Sequence, residues 1–276
     1  MTDSKLSEEK ISETADEAAT DAPAEEELPL SFCHACMTPF EDYYYLGEKY
    51  GFTLVGCLKC GSAVADPYPT AEFMEKFHEK YNEKLVPPSN PERENKRYEK
   101  RIRTLTALTK GTDFLAVGCG FGYSVIAAAS LDLEAFGIDT REQPIKTAKK
   151  NLSKDHFEQT TLEKYAKKGK QADIVYIEHG LEQSVDPNAF IEALKKVLKP
   201  GGVVYLETPD GNHFTIPSNF ARWKVVTPPA VLHYFSRKGI EALLDRHGLK
   251  VEKFFFSLRP RMRLIAKAAS KKADKK

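Results

Sequence analysis

Phe114-Leu-Ala-Val-Gly-Cys-Gly-Phe-Gly122 is the stretch on which the reading of this 276-residue chain turns. Its first four residues form a short apolar run bounded by glycine, the pattern of a strand. Gly118, Gly120 and Gly122 then permit a tight turn and let a ligand lie against bare backbone as the next helix begins. Residues 124–131 read as that helix. A Gly-x-Gly-x-Gly turn also occurs in NAD and FAD enzymes. The dinucleotide fingerprint, however, is Gly-x-Gly-x-x-Gly, with a pyrophosphate over the helix N-terminus. Position 123 here is Tyr, so that fingerprint fails.

Downstream the alternation repeats. Residues 135–138 read as a strand ending at Asp139, 142–152 as a helix and 173–177 as a strand. Residues 188–198 then read as a helix, 203–207 as a strand, 236–247 as a helix and 249–256 as a strand. Strands alternating with helices predict an α/β fold with a doubly wound, Rossmann-like parallel sheet. Ligands of such sheets sit beyond the carboxyl ends of the strands, at the switch point. Asp139 lies 17 residues after Gly122 at one of those ends. A carboxylate there can accept both hydroxyls of a ribose. The plainer alternative is a turn residue at the end of a strand.

Upstream, Cys33-His-Ala-Cys36 and Cys57-Leu-Lys-Cys60 form a CxxC–x20–CxxC pattern, with Cys119 standing alone far downstream. The N-terminus is acidic and lacks an apolar h-region, so the expectation is a cytoplasmic, reducing location. Paired CxxC motifs in that setting read as a metal site, and four thiolates suit structural Zn²⁺ with no open coordination position. Gly61 after Cys60 fits the left-handed residue such a turn needs, whereas Met37 stands at the equivalent place after Cys36. Tyr43-Tyr44-Tyr45 and Phe52-Thr-Leu-Val55 read as short strands between the pairs. So small a module cannot hold itself together by its core alone, and metal binding would supply its folding free energy.

The formal net charge of +1 conceals an asymmetry. Residues 1–30 hold ten acidic side chains against Lys5 and Lys10, and 259–276 hold eight basic ones against Asp274. Both ends read as solvated, disordered tails. The middle is nearly neutral, which is not the footprint of a nucleic-acid-binding domain. No run approaches the roughly 18 apolar residues of a membrane-spanning helix. The expected organisation is an acidic tail (1–30), a zinc ribbon (31–68), a helical connector (69–110), an α/β domain (111–258) and a basic tail (259–276).

Taken in order, the glycine stretch, Gly137-Ile-Asp139, Ala172-Asp-Ile-Val-Tyr-Ile-Glu-His-Gly-Leu-Glu182, Val197-Leu-Lys-Pro-Gly-Gly202 and Leu206-Glu-Thr-Pro-Asp210 resemble class I S-adenosylmethionine-dependent methyltransferases over roughly residues 93–258. Arg222-Trp223, Pro228-Pro229, Leu232-His-Tyr-Phe-Ser236 and Leu243-Leu-Asp-Arg-His-Gly-Leu249 resemble the subset related to ubiquinone-type O-methyltransferases. Some members of that subset carry an N-terminal zinc ribbon ending in a phrase like Cys60-Gly61 and Asp66-Pro-Tyr-Pro-Thr70.

The resemblance implies S-adenosyl-L-methionine as cofactor and a small-molecule methyl acceptor. Gly118, Gly120 and Gly122 would pass under its methionine and ribose, Asp139 would hold the ribose, and Thr161 and Leu162 would meet the adenine. Glu178 and His179 would face the sulfonium and the acceptor. Transfer is an in-line displacement, favoured by holding nucleophile and methyl near attack distance. A general base for a hydroxyl acceptor is expected at His233, with His179 second. The alternative for His233 is packing beside Tyr234 and Phe235. The chain departs from the family where Ala116 replaces an acid, Gln183 a histidine and Ala230-Val231 a Glu-His pair. These losses leave two other readings: an RNA or protein methyltransferase docked through the ribbon, or a non-catalytic binding module.

Overall fold

In the computed structural model the described residues are 30–39, 43–70, 72–74, 76–77 and 86–269. The acidic tail up to residue 29 and residues 270–276 lie outside them, as does most of 71–85 within the expected helical connector. In chain order the strands and helices begin with Tyr43–Lys49 (β1), Phe52–Cys57 (β2), Ala63–Asp66 (β3) and Pro91–Thr106 (α1). Next come Asp113–Val117 (β4), Tyr123–Ala129 (α2), Glu134–Asp139 (β5), Glu142–Asn151 (α3), Phe157–Gln159 (β6) and Leu162–Ala166 (α4). They continue with Ala172–Glu178 (β7), Pro187–Val197 (α5), Leu198–Pro209 (β8), His233–Tyr234 (β9), Arg237–Arg246 (α6), Leu249–Phe255 (β10) and Arg261–Ala268 (β11).

Seven strands form one sheet in the order β10-β11-β8-β7-β4-β5-β6. β4, the strand of the glycine stretch, pairs in parallel with both β5 and β7. Strand order therefore reverses around β4, and the switch point falls at its carboxyl end. Alternate residues of the central strands feed two cores. Leu115, Val117, Val175, Ile177, Val204 and Leu206 face one side with α5 and α6. Phe114, Ala116, Ile174, Tyr176, Val203 and Tyr205 face the other with α1 and α2. Helix starts follow local chemistry: Asp186 accepts from the amides of Asn188 and Ala189, and Pro187 opens α5 without a donor to waste.

The expected basic tail is corrected by β11. This strand lies between β10 and β8, antiparallel to both, and buries Met262, Leu264, Ile265 and Ala266. The sheet is therefore mixed rather than wholly parallel. Arg261-Met-Arg-Leu alternates charge with apolar side chains, a strand pattern hidden inside a run of bases.

The N-terminal module forms a second, antiparallel sheet, β1-β2-β3-β9. Its last strand comes from the large domain, with Ala63 opposite Tyr234 and Val64 opposite His233. The two parts thus share a sheet.

Candidate functional site

The turn after β4 holds Gly118, Gly120 and Gly122 at φ of 69°, 54° and 84°. Side chains with a Cβ rarely adopt this left-handed region. The three glycines do different work. A Cβ on Gly122 would stand 2.8 Å from Phe157 and 2.9 Å from Ala148, so this residue is small to let helix meet sheet. A Cβ on Gly118 would meet only the His179 carbonyl oxygen, at 3.6 Å. One on Gly120 would meet only Arg141 Nη2, at 3.7 Å. The first two glycines therefore expose bare backbone beyond the strand ends. Cys119 turns its thiol inward against Gly137, where burial holds it well above its ordinary pKa, and it serves as packing.

Asp139, at the end of β5, lies against this turn. The Gly120 amide donates to its Oδ2 at 2.8 Å. The Arg141 amide and Nε donate to Oδ1 at 2.9 and 2.8 Å, and Arg141 Nη2 donates to Oδ2 at 2.8 Å. Burial pushes the carboxyl pKa up, but the Arg141 charge and these hydrogen bonds outweigh it and hold the value below the usual carboxylate range. The structure thus brings together the glycine turn and the carboxylate that the sequence paired. It adds Arg141, which sequence reading missed. The only signal was an arginine two positions past the acid, able to fold its planar fork back on it.

Glu178 and His179 follow β7. Glu178 does not present a free carboxylate to a ligand. Its Oε1 accepts from Arg97 and Arg101 of α1, both at 3.0 Å, and its Oε2 from Tyr176 at 3.2 Å. Burial raises its pKa, yet the two guanidiniums overcome this and take it to about 2. Glu207 on β8 is fully buried and completes the network with Arg101, Arg261 and Tyr205. One ligand atom from each of Glu178, His179 and Glu207 falls within 4.8 Å of the others, but the guanidiniums already on both carboxylates make this a poor cation site.

His179 adopts φ of 59° and sets its Nδ1 3.0 Å from Glu182 Oε1. Partial desolvation lowers its pKa, but the hydrogen bond and charge of Glu182 prevail, with help from Glu178 and Glu207, and raise it to about 9. At neutral pH the ring is an imidazolium. A ring held this way favours keeping its proton, against the general-base role that the sequence offered as second choice.

His233, the first choice, is corrected more completely. Its ring is buried at the seam between the N-terminal module and the α/β domain, 3% exposed. Nε2 lies 2.6 Å from Tyr68 Oη and 3.1 Å from the Ser184 carbonyl oxygen. The ring stacks on Phe235 and faces His34. Burial, then the neighbouring His34, push its pKa down to about 3. It is a neutral packing residue with its edge already bonded. Thr161 caps α4 by accepting from the Lys164 amide, and Leu162 is buried in the core, so neither side chain is presented to a ligand. Ala230 packs with Val55, Val64 and Leu232 in a small apolar cluster.

The four cysteines converge. The Sγ pairs Cys33–Cys60 and Cys36–Cys57 are each 3.7 Å apart, and all four sulfurs lie within 4.8 Å of one another. Thiolates about 2.3 Å from a tetrahedral zinc ion stand about 3.8 Å from each other, so the set fits that ion. The two turns match: the Met37 amide donates to the Cys33 carbonyl and the Gly61 amide to the Cys57 carbonyl, at 2.7 and 2.8 Å. Met37 adopts φ of 59° where Gly61 has 76°, so the missing glycine is made good by a strained methionine. His34 stacks between Phe32 and Tyr68 rather than joining the sulfurs.

Comparison with known proteins places this geometry in context. A family model described as a methyltransferase domain matches residues 91–253. A ubiquinone biosynthesis O-methyltransferase of Cereibacter sphaeroides is 28% identical over 163 residues, covering 51% of this chain and 64% of that protein. One from Haemophilus ducreyi is 34% identical over 107 residues, covering 36% and 45%. The chain thus spans less than two thirds of the length of the curated relatives it matches. Among solved structures, the mitomycin 7-O-methyltransferase MmcR superposes with a TM-score of 0.53 at 17% identity, over 71% of this chain and 58% of that one. Magnesium protoporphyrin IX methyltransferase from Synechocystis, with bound SAH, gives 0.50 at 16% identity, over 62% and 82%. The chain belongs to the methyltransferase-domain family and has the class I S-adenosylmethionine-dependent methyltransferase fold.

Proposed function

We propose that the chain transfers a methyl group from S-adenosylmethionine to a hydroxyl oxygen of a small acceptor, and that its four cysteines hold a structural zinc ion. One observation carries the reading: a carboxylate 2.8 Å from the Gly120 amide, beside two glycines that bare their backbone at the switch point. These residues fit an adenosyl group. The turn offers open backbone, and Asp139 is the carboxylate to which the ribose hydroxyls would donate, once Arg141 releases it.

The bound cofactor supplies an electrophilic methyl on a sulfonium. The rest is positioning by the chain. Arg97 and Arg101 tie α1 to the ends of β7 and β8, giving the edge a fixed wall. The His179 imidazolium, half exposed beside the turn, favours an acceptor oxygen that carries negative charge. The small-molecule class of acceptor rests on the relatives, which include O-methyltransferases of ubiquinone biosynthesis.

Titration calorimetry with S-adenosylhomocysteine tests the reading. Micromolar binding that Asp139→Ala abolishes is the expected result. A labelled methyl donor with a panel of phenolic and sugar hydroxyls should then label a small molecule and leave RNA and protein unlabelled. A second reading, a binding module without cofactor, is favoured by the saturation of both Asp139 oxygens. It requires that no adenosyl ligand bind at millimolar concentration, to the native chain or to any variant of the turn.

A further inference from the structure

We propose that Arg141 is the residue that sets adenosyl affinity and ribose discrimination, by occupying the carboxylate on which the ribose diol must bind. The inference rests on the adenosyl reading of this site and concerns how that site opens.

Asp139 has two oxygens and about four acceptor positions. Four donors already fill them: the amides of Gly120 and Arg141 and the Nε and Nη2 of Arg141. Two ribose hydroxyls find no vacancy. The two amides belong to the backbone of the turn and cannot leave without unmaking it. The guanidinium can, because it sits on a rotatable side chain that is 26% exposed while the Asp139 side chain is 2% exposed. Its Nη2 also reaches over Gly120, 3.7 Å from the place of a Cβ, on the side where the backbone is bare. The diol and the guanidinium compete for one carboxylate and for the same space.

Position 141 shows a second feature. It is the N-cap of α3, and its side chain makes no capping bond. Ser, Thr, Asp and Asn are the residues that cap helices, and a cation at a helix N-terminus opposes the helix dipole. Arginine is thus the wrong residue for the helix and the right one for a bidentate grip on a carboxylate. The sequence sets the grip above the cap.

The test uses the full zinc-loaded chain, with S-adenosylhomocysteine and its 2′-deoxyribose analogue as probes in titration calorimetry. Arg141→Ser removes the fork and restores a capping side chain. It should bind S-adenosylhomocysteine at least tenfold more tightly than the native chain and prefer the ribose over the deoxyribose form by a larger factor. Arg141→Lys, which keeps the charge but loses the fork, should fall between the two. Should Arg141→Ser leave Asp139 too exposed a charge for stable folding, seen as an early melting transition, Arg141→Lys carries the comparison alone. Unchanged or weaker binding in the folded variants, with native binding intact, overturns the competition and leaves the adenosyl reading standing. No binding to the native chain or to either folded variant at millimolar concentration overturns both.

Discussion

His179 shows how much one contact changes what a side chain can do. An ordinary histidine, with a pKa near 6.5, is neutral for much of the time at pH 7. Glu182, itself held by the Thr208 hydroxyl at 3.1 Å, raises His179 to about 9. A group raised on folding contributes stability that is complete below its unfolded pKa and is lost as pH climbs through the folded one. The stability difference between the native chain and His179→Gln should therefore be constant below about pH 6.5 and shrink toward pH 9, as measured by urea titration at each pH. An imidazole proton resonance titrating near 6.5 would refute the imidazolium. Glu178 works with the opposite sign. Its folded value of about 2 contributes stability that is present above about pH 4.5 and lost as pH falls toward 2. Both residues were visible in the sequence as polar groups at a strand end. Their charge states were not: Glu182 stands only three positions past His179, but Thr208, which anchors it, and the arginines of α1 come from distant segments.

Among the elements, β11 departs furthest from its sequence reading, and α1 lies where a helix is expected but carries more of the sheet's charge than expected. Leu264 is fully buried on β11 between two antiparallel neighbours. Leu264→Ala should cost about 2–5 kcal/mol in denaturant unfolding, the range for a large cavity in a packed core. A chain ended at residue 258 should fail to fold, since β10 would lose its link to the sheet and β8 one of its two neighbours. Normal melting of that truncated chain would restore the solvated-tail reading. α1 is bolted to the sheet by charge as well as by Ile102 and Leu105. Arg101, with its side chain 12% exposed, bridges Glu178 and Glu207. Arg101→Met leaves both carboxylates under-compensated and should destabilise the chain by about 3–5 kcal/mol, read from its urea midpoint. The sequence placed this helix within the helical connector of 69–110. It could not say that two of its bases would be drawn onto buried acids more than 70 residues away.

At the level of the molecule, the N-terminal cysteine module is built into the methyltransferase domain rather than hung from it. Arg246 of α6 donates to the carbonyls of Ala35 and His34 in the first cysteine turn, and Lys238 to that of Lys59 in the second. Ser236, the cap of α6, donates its hydroxyl to the Cys60 carbonyl and its amide to Ser62. Buried Cys33, Cys57 and Cys60 belong to the same apolar cluster as Leu243 and Leu249. On the zinc reading, the metal's folding free energy is shared by the whole chain. Chelation, or Cys57→Ser, should lower the melting temperature of the methyltransferase domain in one cooperative transition followed by circular dichroism. A domain that melts unchanged after chelation would refute this coupling.

The features legible along the chain are short-ranged. They are the glycine turn after β4, the acid closing β5, the twin cysteine turns and the strand–helix alternation, because each follows from spacing and backbone preference within a few residues. Even the pairing of Asp139 with the turn followed, since parallel neighbours bring their carboxyl ends level. Only the tertiary structure decided what those groups are free to do. Docking of the N-terminal module buried His233 and bonded its edge to Tyr68. Packing of α1 onto the sheet paired the Glu178 carboxylate with two guanidiniums. Arg141, two positions from its partner, had the reach for Asp139, but a flexible side chain goes where the folded electrostatic field draws it. Charge state, burial and side-chain direction depend on neighbours that meet only when distant segments pack, and no pattern along the chain records them.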